Sequence, residues 1–362
     1  MKQRYRRITV KIGSNVLARH DGTLDVTRMS ALVDQISRLK KSGIEVILIS
    51  SGAVACGRSE LRNLDTRRLD NVESRQLFSA VGQVKLINRY YDLFRDHGIS
   101  VGQVLTMKES FATRRHYLNQ RGCMMVMLEN DVIPIVNEND TVSLTELMFT
   151  DNDELSGLVA AMMDCDALII LSNIDGIYDG NPKDKSSKVI SKVDSNKDLS
   201  EYIMVERSGF GRGGMVTKYN IARKVADEGI EVIIANGKRE NILTDIILGD
   251  NDVVCTTFSP SDSEVSSMKR WIAHSKGFTK GRIIINEKAV SAITGDRAAS
   301  LLPVGVVDVE GDFEKDDLVK VVGPDGMDIG IGRISYSSED ARTVIGKREC
   351  RPMIHYDYLY IE

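Results

Sequence analysis

Two lysines and one carboxylate, set among glycines and short polar runs, are the residues of this chain best suited to chemistry on a phosphate. Lys11 lies inside the short apolar run 8–12 and is followed by Gly13-Ser14. A charged lysine in such a strand is costly unless it ends at a partner. The glycine lets the backbone approach that partner, and an ammonium beside bare backbone N–H groups suits a phosphate. Taken alone, Lys11 fits an edge-strand lysine facing water equally well. Lys218 closes the run Gly209-Phe210-Gly211-Arg212-Gly213-Gly214-Met215-Val216-Thr217-Lys218, which leads into an apolar-periodic stretch at Tyr219, Ile221, Ala222, Val225 and Ala226. A glycine-rich loop opening a helix exposes backbone N–H groups and the positive end of the helix dipole. A lysine in that first turn disfavours the dipole and makes sense beside an anion; a solvated lysine on a surface loop is the alternative. The loop is not a Walker A motif, because Gly-Lys-Ser/Thr is missing, and it does not follow the first strand as a dinucleotide fingerprint would.

Asp151-Asn152-Asp153 opens a helical pattern through Leu155, Leu158, Val159 and Met162. Asp151 suits an N-cap and Asp153 the positive end of the dipole. The functional reading is that Asp153 pairs with buried lysines and orients them, while Asn152 offers a donor and an acceptor to a polar substrate. Asn137-Glu138-Asn139-Asp140 follows directly on the apolar run 132–136. Asp140 can accept hydrogen bonds from an ammonium group and Asn137 can hold a carboxylate; an Asx-rich turn is the other reading. The methionines within 124–127 read as helix core, and the charge run 62–68 as a solvated loop.

These residues need elements to position them. Apolar runs at 8–12, 45–49, 101–105, 132–136, 167–171 and 231–234 alternate with helical patterns. Met29, Leu32, Val33, Ile36 and Leu39 recur at three- and four-residue steps, one face of a helix that Gly43 ends after Lys40-Lys41. Continuous apolar strands between amphipathic helices predict an α/β fold, a mostly parallel sheet sandwiched by helices. Such sheets bind ligands at the carboxyl ends of their strands. The first, second, fourth and fifth runs end in Gly13-Ser14, Ser50-Ser51-Gly52-Ala53, Asn137-Glu138-Asn139-Asp140 and Ser172-Asn173. Ordinary turn chemistry explains one or two such ends more comfortably than four. We expect this domain to span 1–257, with a linker rich in serine and acidic residues at 258–277. Beyond it, 278–362 reads as a small, mainly β module. Its short strands fall at 282–285, 306–309, 318–322, 329–335 and 354–361, with short helices near 287–294 and 338–345.

Composition narrows the partners. A length of 362 residues suggests two domains, at roughly 100–200 residues each. The net charge of −4 gives no sign of a nucleic-acid or acidic-membrane partner. Residues 278–362 hold 11 Lys+Arg against 15 Asp+Glu, a poor surface for a phosphate backbone. No apolar run approaches the roughly 20 residues that span a bilayer. The basic start, Met1 to Arg7, runs into the Lys11 segment with no signal-peptide core. Five cysteines without a C-x-x-C pair fit reduced thiols, so a cytoplasmic location is expected. No two of the five histidines have metal-ligand spacing, and no protein-held metal is expected.

Val10-Lys11-Ile12-Gly13-Ser14, Ser51-Gly52-Ala53, Asn137-Glu138-Asn139-Asp140, Asp151-Asn152-Asp153 and Gly213-Gly214-Met215-Val216-Thr217-Lys218, in this order, resemble the amino acid kinase family over about residues 5–257. Residues from about 278 to 356 resemble a PUA domain. That combination is similar to the branch of the family that phosphorylates the side-chain carboxylate of L-glutamate to glutamyl 5-phosphate, towards proline. Relatives acting on acetylglutamate, carbamate or uridylate lack the tail. The resemblance implies ATP as donor, with Mg2+ bound through its phosphates. It implies that Lys11 and Lys218 stabilise charge on the transferring phosphoryl group and that Asp153 holds both lysines. Lys11, Gly13, Ser14, Ser172, Asn173, Arg212, Gly213, Gly214, Met215, Val216, Thr217 and Lys218 would contact ATP. Ser51, Gly52, Ala53, Asn137, Asp140, Asp151 and Asn152 would line the glutamate site. It also implies proline as a feedback inhibitor and a homodimer or homotetramer. Two departures from the family pattern stand out: Ser172-Asn173 stands where Thr-Asp is usual, and Arg212 where a threonine is usual. Both bear on the nucleotide. A carboxylate acceptor is already ionised at neutral pH, so the reaction needs alignment and charge stabilisation more than a strong base.

Overall fold

The computed structural model describes residues 4–64, 69–111, 114–142, 149, 152–182, 184, 186–194, 215–249, 252–261, 271–272, 279–295 and 298–361. The chain forms two compact units, Met1–Lys108 with Asn119–Glu264, and Glu109–Leu118 with Val265–Glu362.

The first unit carries an eight-stranded sheet. Its strands are β1 (Arg7–Ile12), β2 (Glu45–Ser50), β3 (Val101–Thr106), β4 (Ile133–Glu138), β5 (Ala167–Ser172), β6 (Lys192–Val193), β7 (Glu231–Asn236) and β8 (Thr256–Phe258). Their spatial order is β3-β4-β2-β1-β5-β7-β8-β6. Every pairing is parallel except β7 with β8. The helices along this stretch of chain are α1 (Ser14–Leu17), α2 (Val26–Lys41), α3 (Ala53–Glu60), α4 (Asn71–Arg95), α5 (Arg114–Glu129, whose residues up to Leu118 fall in the second unit), α6 (Asn152–Met162), α7 (Met215–Asp227) and α8 (Ile242–Leu248). The chain runs from β1 outward to β2 on one side, and β5 lies against β1 on the other. A strand order that divides in this way leaves a crevice at the carboxyl ends, and β1 stands at its centre.

Strand alternation decides what each β1 side chain meets. Ile8, Val10 and Ile12 join one core cluster with Met29, Leu32 and Ile36 of α2 and with Leu243 and Ile247 of α8. Lys11 is out of phase with them and projects from the opposite face, where α6 lies. All six residues of β1 and of β5 are buried, as expected of parallel strands covered on both faces.

Five strands run past the ends of their apolar runs, β2 by Ser50 and β3 by Thr106 among them. β4 continues through Asn137 and Glu138, paired opposite Leu105 and Thr106 of β3. The polar pair therefore belongs to the sheet and not to a turn after it. Ladder bonds use the backbone, so polar side chains do not end a strand whose neighbours remain in register. β5 and β7 likewise reach Ser172 and Asn236. Conversely, the run read as a strand at 354–361 is one only at its end, after a single-turn helix at Tyr356–Tyr358.

The second unit has a five-stranded sheet of β9 (Gly281–Ile285), β10 (Val306–Gly311), β11 (Leu318–Val322), β12 (Asp328–Arg333) and β13 (Leu359–Ile361), ordered β10-β9-β11-β12-β13. Helices α9 (Glu287–Ile293) and α10 (Ser338–Val344) accompany it. Trp271, inside the run read as a linker, is fully buried in this unit, and its Nε1–H donates to the Phe111 carbonyl at 2.9 Å.

Candidate active site

Two groups of polar residues meet at the carboxyl ends of β1, β2 and β4. The first is a carboxylate shared by two ammonium groups. Lys11 Nζ lies 2.6 Å from Asp153 Oδ1, and Lys218 Nζ lies 2.8 Å from Asp153 Oδ2. Asp153 is 1 % exposed. Burial alone would raise its carboxyl; the charges of Lys11 and Lys218 and their hydrogen bonds outweigh that and hold it below the usual carboxylate range. The cluster therefore carries one net positive charge in a dry setting, where it acts strongly on an incoming anion.

Local structure explains how the three converge. Asp153 sits in the first turn of α6, where the helix dipole favours it. Lys218 sits in the first turn of α7, where the dipole opposes it, and Asp153 supplies the compensating charge. α7 can lie this close because Gly157 of α6 has no side chain. A Cβ there would stand 2.9 Å from Val225 and 3.1 Å from Ile221. Gly13 allows a close approach in the same way, but its backbone is not bare as the sequence suggested. Its N–H donates to the Leu171 carbonyl at 3.1 Å, and a Cβ on it would lie 3.5 Å from Lys11 Nζ. The missing side chain leaves a cradle beside the ammonium.

The second group is a hydrogen-bonded row. Asn152 Nδ2 donates to Ser51 Oγ at 2.8 Å and to Asn137 Oδ1 at 3.1 Å. Asn137 Nδ2 donates in turn to Gln83 Oε1 at 2.8 Å. Asp140 receives Arg75 Nε at 3.0 Å and Arg75 Nη2 at 2.6 Å on Oδ1, and the Ser79 hydroxyl at 3.1 Å on Oδ2. Glu138 Oε1 accepts from the Phe149 N–H at 2.9 Å. Burial pushes the Glu138 carboxyl up to about 7.

Arg75, Ser79 and Gln83 fall at i, i+4 and i+8, one stripe of α4, and sequence reasoning passed over them. The signal was present: a polar stripe along a helix whose neighbouring positions, such as Phe78, Leu86, Tyr90 and Phe94, are buried and apolar. The capping box at Asp70 and Glu73 fixes where α4 begins, one turn before Arg75. Close packing on α3 then fixes where it lies. A Cβ at Gly82 would stand 1.8 Å from the Ala53 carbonyl oxygen, and one at Gly57 1.8 Å from that of Phe78. Gly52, with φ at 113°, turns the chain from β2 into α3, so that Ser51 faces the crevice end and Ala53 begins the helix.

A family model described as "Amino acid kinase family" matches residues 6–236, and one described as "PUA domain" matches 281–356. The chain belongs to the amino acid kinase family. Its relatives include the protein named glutamate 5-kinase from Bacteroides thetaiotaomicron, 66% identical over 362 residues and covering all of both chains. The protein of the same name from Chlorobaculum tepidum is 47% identical over 363 residues, covering 99% of this chain and 98% of its own. That from Trichlorobacter lovleyi is 36% identical over 360 residues, covering 98% and 94%.

The remaining described residues singled out from the sequence lie at the starts of α1 and α7 and at the end of β5. Ser14 opens α1, and Met215, Val216 and Thr217 form the first turn of α7 with Lys218. Ser172 Oγ donates to Asn173 Oδ1 at 3.4 Å. Asp175, three residues after Ser172, is held by Arg239 Nε at 2.7 Å and Asn236 Nδ2 at 3.0 Å, and the Arg239 hydrogen bond keeps its carboxyl below the usual range. Asp151, Arg212, Gly213 and Gly214 lie outside the described residues. Among the described residues no group of three or more His, Cys, Asp or Glu could hold a metal ion, and no helix is long and apolar enough to cross a membrane.

Proposed function

We propose that this chain transfers the γ-phosphoryl group of ATP to the side-chain carboxylate of L-glutamate, giving glutamyl 5-phosphate and ADP, the entry reaction towards proline. The observation that carries the reading is the Lys11–Asp153–Lys218 cluster, with its glycine cradle, beside the Ser51–Asn137–Asn152 row. Identity to proteins named glutamate 5-kinase over the whole chain supports it.

In this mechanism a γ-carboxylate oxygen of glutamate attacks the γ-phosphorus of ATP, and the bond from that phosphorus to the β–γ bridging oxygen breaks. Charge moves onto the leaving ADP as the transferring group loosens. Lys11 and Lys218, held apart on the two oxygens of Asp153, stabilise that charge without having to reorient. With no side chain at Gly13, a phosphate oxygen can approach Lys11 Nζ unobstructed from that side. Magnesium would arrive with ATP and would neutralise part of the phosphate charge. At the acceptor end, the Ser51 hydroxyl proton and Asn152 Oδ1 have no partner among the described residues. The first can donate to a carboxylate and the second can accept from an ammonium.

The reading also carries free proline as an inhibitor, at the glutamate site or its surroundings, and a dimer or tetramer as the assembly. Light scattering of the purified protein tests the assembly, and ADP release with added proline tests the inhibition. The deciding experiment for the activity is ADP release with L-glutamate, ATP and magnesium, with hydroxylamine added to trap the acyl phosphate as a hydroxamate. Aspartate, acetylglutamate and carbamate serve as competing acceptors. Neither ADP nor hydroxamate with glutamate, or a preference for another acceptor, would sink the reading.

A further inference from the structure

Arg75 is held by one edge and open at the other. Its Nε and Nη2 form the fork on Asp140 Oδ1, at 3.0 and 2.6 Å, and Nη2 also lies 3.5 Å from Glu138 Oε2. Nη1 has no hydrogen-bond partner among the described residues, and the side chain is 35% exposed. Asp140 is further anchored by the Ser79 hydroxyl, and Gln76 on the same helix donates to the Thr141 carbonyl at 2.8 Å. The guanidinium is therefore placed by a rigid frame and retains N–H donors that the frame does not use. A planar guanidinium can do this, binding one carboxylate along its side and another at its end, whereas a lysine ammonium is a single point charge.

We propose that Arg75 determines acceptor specificity by binding the non-reacting carboxylate of a dicarboxylate substrate. The proposal rests on the kinase reading above and adds to it the residue that recognises the far end of the acceptor. The charges agree. Lys11 and Lys218, less Asp153, leave one positive charge for the phosphoryl end. An α-amino dicarboxylate then places its second carboxylate near Glu138 and Asp140, which would repel it. Arg75 offsets Asp140, and burial pushes Glu138 up to about 7, so that the pair does not confront the substrate with two full negative charges. The adjoining row supplies the remaining contacts, with Asn137 sharing its Oδ1 with Asn152.

The test compares wild type with Arg75→Met, using glutarate, which keeps both carboxylates, and 4-aminobutyrate, which lacks the second one, as competitors of glutamate. Arg75→Met is expected to weaken glutamate and glutarate by roughly 10- to 100-fold, the loss of a charge-assisted hydrogen-bonded pair. It should leave 4-aminobutyrate, and KM for ATP, within about threefold of wild type. Equal weakening of glutarate and 4-aminobutyrate would show a merely structural Arg75 and overturn the proposal, as would no weakening of either. Arg75→Lys, which keeps a cation against Asp140, guards against misfolding: it is expected to retain the wild-type unfolding temperature and still lose glutamate affinity. Should wild type release no ADP with glutamate, the kinase reading fails on its own. Calorimetric titration of glutarate and 4-aminobutyrate into wild type and Arg75→Met then decides the present proposal. Glutarate that fails to bind wild type, or binds both proteins alike, overturns it.

Discussion

Asp153→Asn keeps the shape of the central side chain and removes its charge. In the structure each Asp153 oxygen holds one ammonium, at 2.6 Å from Lys11 and 2.8 Å from Lys218, and the residue is 1 % exposed. The amide presents one acceptor and one N–H donor group, so one lysine loses its acceptor and both lose their counter-charge. Removing one partner of a buried ion pair costs about 3–5 kcal/mol of stability, because the charge left behind stays desolvated. The kinetic loss is separate: disturbing one preorganised charge contact lowers turnover by roughly 10²- to 10³-fold. The two steps move apart for ATP. Two uncompensated lysines still attract phosphates, so KM for ATP should hold or fall while kcat drops. ATP should also raise the unfolding temperature of the variant more than that of wild type. Steady-state ADP release and thermal unfolding with and without ATP measure these effects. Lys218→Met supplies the cycle. If the lysine acts through the shared carboxylate, the double variant should be no more than about threefold slower than the slower single one. The reasoning is refuted by an Asp153→Asn enzyme with kcat within about threefold of wild type, or by losses in the two variants that multiply.

Two further outcomes follow from the helix frame and the acceptor end. Gly82→Ala places a Cβ 1.8 Å from the Ala53 carbonyl oxygen. The backbone displacement, about 1–3 kcal/mol or more for an overpacked contact, should exceed the roughly 1 kcal/mol that alanine adds to a helix. Thermal unfolding should show a less stable protein, with KM for glutamate raised as α4 shifts; a stabilised variant contradicts the packing argument. Glu138 has its carboxyl raised from the usual 4.5 to about 7 by burial. Between those values the unfolded chain has released a proton that the folded chain still holds, so stability should fall as pH rises through that window. Glu138→Gln has no such proton and should flatten the curve in denaturant titrations across the window; an unchanged slope in the variant assigns the effect elsewhere.

Much of the candidate site is legible in the sequence because its residues sit at places that local pattern marks. Lys11 interrupts an apolar strand, Asp153 begins a helix, and Lys218 follows a run of glycines. Period-two and period-3.6 apolar patterns report which face of each element is buried, and this was enough for the parallel sheet and for α2. Asn137 and Glu138 misled for the complementary reason. Their polarity looked like the end of a strand, but the backbone of β4 continues to pair with β3 irrespective of side-chain character. Trp271 escapes a pattern reading because serine and acidic neighbours set the character of its segment, whereas its own large ring is fully buried.

The sequence by itself determined the alternation of strands and helices, and that lysines, a carboxylate and polar strand ends would gather along one edge of a sheet. These follow from burial of apolar faces, a property each segment carries alone. Only the tertiary structure decided that Asp153 spends one oxygen on Lys11 and the other on Lys218, and that Arg75, from a helix with no chemical motif, clamps Asp140. Those pairings depend on the spatial order of β4, β2, β1 and β5 and on how closely glycines let α3 meet α4 and α6 meet α7. Charges separated in sequence have no local pattern that records their partner. The partner is chosen by the packing of apolar surfaces that carries each charge to its place, because a buried charge is tolerated only where that packing delivers an opposite one.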